Sequence, residues 1–119
     1  MKTTKKTVKE VKEIQEIDLP EAIKKWKQQY GRVYQSIVAD EKIIWRTITR
    51  TEYKDIINRK FDDNEDIAYY QRQEALAELV ILYPTSKEKI VEDFAGVADY
   101  ISTECMTKSG FGLNNTEAL

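Results

Sequence analysis

Four places in the 119-residue chain carry side chains that could do chemistry. The first is the acidic run Asp62-Asp63-Asn64-Glu65-Asp66. Asp62, Asn64 and Asp66 match the first, third and fifth ligand positions of a calcium loop. The glycine that such a loop needs for its sharp turn is replaced by Ile67, and the closing bidentate glutamate by Gln73. The run therefore reads as a solvated loop whose carboxylates favour the positive N-terminus of the following helix. The second is Ser86-x-x-Lys89, which has the spacing of a Ser/Lys nucleophile pair but lacks its companion motifs. Ser86 and Thr85 read more simply as helix caps. The third is Cys105, on the apolar face of a helix. The chain has no histidine, so no imidazole can activate the thiol, and a buried structural cysteine is expected. The fourth is Trp45-Arg46-Thr47-Ile48-Thr49-Arg50, where cations alternate with an aromatic as in a clamp for single-stranded nucleic acid. It also reads as a half-buried strand running into a capped helix.

Composition supports the quieter reading at each place. The absence of histidine excludes imidazole acid–base catalysis, the Ser-His-Asp triad and the commonest zinc ligand. A non-enzyme without cofactor or metal is expected. A single cysteine forms no internal disulfide and points to a reducing compartment. The longest apolar run, Leu79–Tyr83, is far shorter than a membrane span, and no apolar core follows the N-terminal lysines as a secretory signal requires. The net charge of −2 hides an asymmetry. Residues 1–60 carry fifteen Lys/Arg against nine Asp/Glu, and residues 61–119 carry four against twelve. Such halves attract one another within a chain or between stacked copies, and less so in salt.

Elements must position these side chains. Residues 1–17 place Val8, Val11 and Ile14 at helical spacing in a stripe one residue wide, and read as a charged flexible arm. Asp18, Pro20 and Glu21 open a helix over 19–30, with Ile23, Trp26 and Tyr30 on one face and Gly31 as its stop. The runs Arg32–Val38 and Lys42–Ile48 predict an antiparallel hairpin with the three-residue loop Ala39-Asp40-Glu41. Thr49 and Glu52 form a capping box before a helix over 51–60. A longer helix is predicted from Ile67 to Tyr83, although Leu79–Tyr83 also reads as a short buried strand. Thr85 and Glu88 suggest a third box. Ile90, Phe94, Val97, Ile101 and Cys105 then predict an amphipathic helix to Lys108, with Gly96 a possible break between two shorter ones. The expected fold is α+β: a hairpin, with room for a further strand, packed on about four helices. Residues 18–110 form one domain in this reading, and 111–119 a polar tail anchored by Phe111.

Tyr69 and Tyr70 are neighbours in a helix and point about 100° apart, so one of them meets solvent or a partner. Together with Trp26, Trp45, Arg46, Arg50 and Tyr53 they form the candidate protein-binding set. The expected groove lies between Trp26, Trp45, Tyr53 and the surface of the 67–83 helix.

The order of several short motifs carries a resemblance. After the first helix come Tyr30-Gly31-Arg32-Val33-Tyr34 and Ile44-Trp45-Arg46-Thr47-Ile48-Thr49-Arg50-Thr51-Glu52-Tyr53. Leu82-Tyr83-Pro84, Ala95-Gly96-Val97 and Ser109-Gly110-Phe111 follow. Over residues 19–112 this order resembles the small tail assembly chaperones of bacteriophages, in particular large contractile-tailed ones. The resemblance implies a non-catalytic protein of the host-cell cytoplasm that coats the helical tape-measure protein during tail assembly. It implies a homo-oligomer and no membrane, and such chaperones often have a longer form made by frameshifting. The alternatives are a structural baseplate or tail protein retained in the virion, and a small nucleic-acid-binding regulator using the Trp45–Arg50 hairpin.

Overall fold

The structure is a computed structural model that describes residues 18–112 and 114–119. The proposed N-terminal arm, with Val8, Val11 and Ile14, lies outside the described residues. The chain divides into two units, with the boundary between Val33 and Tyr34.

In the first unit, α1 spans Leu19–Tyr30. It starts where expected because the Asp18 carboxylate accepts the Glu21 N–H at 3.2 Å and Pro20 presets the first turn. It stops at Gly31, whose φ of +83° is open to glycine and whose N–H donates to the Lys27 carbonyl at 2.9 Å. Ile23, Trp26 and Tyr30 are half-buried, and α1 buries no side chain fully.

The second unit is built on a three-stranded antiparallel sheet with strand order β1-β2-β3. β1 is Val33–Val38 and β2 is Glu41–Arg46. The turn between them has two residues rather than the expected three. Ala39 and Asp40 both adopt positive φ, 52° and 62°, and Glu41 already belongs to β2. That backbone twist matches the twist of the paired strands. β2 is the central strand, and Ile43, Ile44, Trp45 and Arg46 are all buried. β3, Ile81–Tyr83, pairs with β2 through Ile44 opposite Tyr83 and Trp45 opposite Ile81.

Four of the five helices among the described residues belong to this unit. α2 spans Arg50–Asn58 behind a complete Thr49/Glu52 capping box. α3 spans Glu65–Val80, starting earlier than Ile67 because the Asn64 side chain caps it, accepting from Asp66 and Ile67 N–H. It ends at Val80 and hands its last three expected residues to β3, where their backbone pairs with β2. The expected helix to Lys108 is two. α4 spans Lys87–Asp93, Phe94 turns extended, and α5 spans Gly96–Met106. The Thr85/Glu88 box does not form: Ser86 is the N-cap of α4 and makes no side-chain capping bond. A π-helical turn, Thr107–Phe111, completes the fold.

The resulting fold is α+β and helix-dominated, with five helices against about four expected. The core of the second unit joins Ile43 and Trp45 of β2 with Ala77 and Val80 of α3, and Val97, Ile101 and Cys105 of α5. α3 packs chiefly on α5.

Candidate functional site

The site begins at the end of β2. Arg46 is 7% exposed, and burying a guanidinium requires a partner. Its Nη1 and Nη2 each donate to a Glu52 carboxylate oxygen at 2.8 Å, and Nη1 also donates to the Thr47 carbonyl at 3.2 Å. The same carboxylate accepts the Thr49 N–H at 3.0 Å, closing the cap of α2. Arg46 is the main cause that holds the Glu52 carboxyl below the ordinary glutamate range, with the Thr49 N–H adding to it and burial opposing. One fork thus fixes α2 to the sheet.

Fixed in this way, α2 turns Ile56 into the core and leaves Ile57 on its outer side. Tyr53, Ile56 and Ile57 form one wall of a groove of about 380 Å³. Tyr69, Arg72, Gln73 and Leu76 of α3 form a second wall. Ser102, Thr103 and Met106 of α5, with Thr107 and Phe111 of the π-turn, form the third. The π-turn is held by the Ser109 hydroxyl, which accepts the Ile48 N–H at 3.0 Å. Gly110, at φ +104°, then reverses the chain. This places Phe111 on Tyr53, with ring centroids 4.7 Å apart. The Arg50 guanidinium stands 5.5 Å from the Tyr53 ring centroid. Gln73 donates to the Tyr69 hydroxyl at 3.2 Å and to the Asp99 carboxylate at 2.9 Å, forming a polar rail along one side.

Large apolar groups stay open to solvent here: Ile57 at 52%, Tyr69 at 54% and Phe111 at 48%. The only charged group in the lining is Arg72. Such a groove binds by covering apolar side chains, with Arg and Gln setting orientation at the rim.

The structure sorts the seven candidate residues. Tyr53 and Tyr69 line the groove and Arg50 stands beside it. Tyr70 is 60% exposed, edge-on to Tyr69 at 5.7 Å, and outside the lining. Trp26 lies on α1 in the other unit. Two placements correct the expectation. Trp45 is 1% exposed, stacked on Tyr34 at 4.9 Å and donating its Nε1–H to Ser36 Oγ at 2.8 Å. Arg46 is consumed by Glu52. Neither Trp45 nor Arg46 offers a surface to a protein or a nucleic-acid strand, because both side chains are buried.

Of the groove lining, sequence reasoning named only Tyr53 and Tyr69; Ile57, Arg72, Gln73, Met106 and Phe111 are among the contributors it missed. A signal existed for Ile57, since adjacent Ile56 and Ile57 cannot both face one core. Phe111 was visible as the lone aromatic in a polar tail.

The other chemical candidates are engaged locally. Lys89 pairs with Asp93 at 2.7 Å, away from Ser86. Asp62 accepts the Asn64 N–H at 2.8 Å, as a turn-forming aspartate does. Among the described residues, no group of three or more His, Cys, Asp or Glu is placed to hold a metal ion. Cys105 is fully buried, and burial pushes its thiol pKa up. No protein-family model, curated protein or solved structure matches the chain.

Proposed function

We propose that this chain is a non-catalytic phage tail assembly chaperone, and that the groove between α2, α3 and α5 receives the apolar stripe of the helical tape-measure protein. The groove carries the reading. It combines exposed Ile57, Tyr69 and Phe111 with a lining almost free of charge. An amphipathic helix presents apolar side chains at three- and four-residue intervals, and a groove walled by helices accepts them in that spacing. Covering each such side chain is worth roughly 1.5–3 kcal/mol before the costs of association. Modest affinity per contact and many copies suit a protein that must leave as the tail tube closes. The ordered motifs from Tyr30-Gly31-Arg32 to Ser109-Gly110-Phe111 add the family resemblance, and the cytoplasm of the host is the compartment proposed.

Co-expression with the tape-measure protein encoded in the same genome tests this. The expected result is soluble tape-measure protein that co-purifies with the chain, and loss of both with Ile57→Asp. No effect on tape-measure solubility overturns the proposal. Mass spectrometry of purified virions gives the second arm: the chain should be absent or trace, and stoichiometric retention would make it a structural tail protein.

A further inference from the structure

The polar groups of the groove are not spread evenly over its walls. On α5 the Ser102 hydroxyl donates to the Asp99 carbonyl at 3.1 Å, and on the π-turn the Thr107 hydroxyl donates to the Thr103 carbonyl at 3.0 Å. Both protons are spent on backbone. On α3 the Gln73 amide spends its two N–H groups on the Tyr69 hydroxyl oxygen and the Asp99 carboxylate. What α3 keeps for an occupant are the Tyr69 O–H and the Arg72 guanidinium, three residues apart and so on one helical face. Arg72 makes one ion pair among the described residues, to Glu65 at 4.0 Å. That distance is too long for a hydrogen bond, and the Glu65 side chain is 88% exposed, so the pair holds the guanidinium only loosely. A second cation, Arg50, stands beside Tyr53 on the α2 wall. Among the described residues the lining holds no carboxylate.

We propose that Arg72 reads the charge of the occupant: the helix that fills the groove carries an aspartate or glutamate beside its apolar stripe, and that carboxylate takes the Arg72 fork and the Tyr69 O–H. The inference rests on the groove reading above and adds the chemistry of the partner. An occupant that covers Ile57, Tyr69 and Phe111 also takes water from Arg72, which lines the same groove. A cation that loses water needs an anion in its place. A guanidinium offers a carboxylate two parallel N–H groups, which fixes position as well as adding energy. A lysine at that place would meet Arg72 as a like charge, with no acid in the lining to offset it. A glutamine would leave the cation without a counter-charge. The apolar walls thus supply affinity, and the α3 donors supply a choice among apolar stripes.

The test is calorimetry of the full chain at low salt with three forms of one tape-measure peptide. The forms share an apolar stripe and carry glutamate, glutamine or lysine at the positions flanking it, three residues of similar helix propensity. The glutamate form should bind about tenfold more tightly than the glutamine form, and the lysine form most weakly. Arg72→Gln should erase the preference for glutamate over glutamine, and Arg72→Glu should reverse the order so that the lysine form binds most tightly. The Arg72 side chain is 38% exposed, so both variants should fold as the parent does, with circular dichroism as the control. Tyr69→Phe, which keeps the ring and removes the O–H, should weaken the glutamate form by about threefold and leave the lysine form unchanged. Three forms that bind equally yet lose affinity with Ile57→Asp overturn this inference and leave the groove reading standing. So does an order of affinities that Arg72→Glu leaves in place. Three forms that fail to bind, or that bind untouched by Ile57→Asp, overturn the groove reading and this inference with it.

Discussion

Arg46 and Glu52 share two N–H···O bonds of 2.8 Å, and the carboxylate that neutralises the buried cation also closes the N-terminus of α2. The two partners are not equally sunk: the Arg46 side chain is 8% exposed and that of Glu52 27%. Removing Glu52 strands a buried cation, whereas removing Arg46 leaves a carboxylate that water can reach. Glu52→Ala should therefore cost about 3 kcal/mol in urea unfolding, and Arg46→Met roughly half of that. Equal losses would mean that neither the cap nor the stranded cation sets the cost, and that the paired contact itself carries the energy.

The same pair sets an acid limit on stability. The folded-state pKa of Glu52 is depressed, so its contribution is complete above the ordinary glutamate value of 4.5 and is lost as pH falls through the folded value. The gap between the parent and Glu52→Gln should be wide at pH 7 and close in acid. Glu78 has the opposite sign. Burial, then the nearby Glu88 and Glu74, raise its pKa above 4.5, so its ionised form opposes folding at neutral pH. Glu78→Gln should gain a few tenths of a kcal/mol at pH 7 and nothing once pH falls below 4.5. Thermal melts at both pH values check both signs.

The hairpin turn holds strain that a single substitution can relieve. Ala39 sits at φ +52°, where its Cβ crowds the backbone and where turns of this type favour asparagine or glycine. Ala39→Asn should stabilise the chain by roughly 0.5–1 kcal/mol, and Ala39→Val should destabilise it by more than that. A gain from valine in chemical denaturation would contradict the turn geometry.

These sites also show what a sequence exposes. The Thr49/Glu52 box was legible because capping depends on residues three apart, and the start and stop of α1 were legible for the same local reason. The position of Trp45 was not. Alternation marks two faces of a strand but does not tell which are covered, and here Ile43, Ile44, Trp45 and Arg46 are all buried. The 79–83 run was ambiguous because helix and strand differ there only in whether a partner backbone, here that of Ile44 and Trp45, lies alongside. The three-residue hairpin loop failed because Ala-Asp carries none of the glycine that announces a two-residue turn. The groove needed three helices and a π-turn to meet, a long-range fact to which only the adjacent Ile56 and Ile57 gave a local clue.

Cys105 should behave as an inert reporter of unfolding. Its Sγ lies 3.5 Å from the Arg46 carbonyl, it has no exposed surface, and burial holds it in the thiol form. Labelling by a thiol reagent under native conditions should be at least about a thousandfold slower than in denaturant. Its rate should rise in Glu52→Ala in step with the lost stability. Fast labelling of the folded parent chain would place the C-terminal half of α5 in local exchange with solvent.

The groove makes a prediction that separates binding from folding. Ile57, Tyr69 and Phe111 are about half exposed, so replacing one of them removes little buried area. Ile57→Asp and Tyr69→Ala should each change stability by no more than about 0.5 kcal/mol. Phe111→Ala should cost somewhat more, because its ring also packs on Tyr53 at 4.7 Å. Binding of an amphipathic tape-measure peptide, followed by calorimetry, should weaken by tenfold or more in each variant, since a few central apolar anchors dominate such contacts. Leu76→Ala would be the wrong probe, because Leu76 is 7% exposed and supports the core. Surface variants that unfold the chain would mean that the groove belongs to the core. Variants that fold and still bind the peptide at full strength would move the contact to another face.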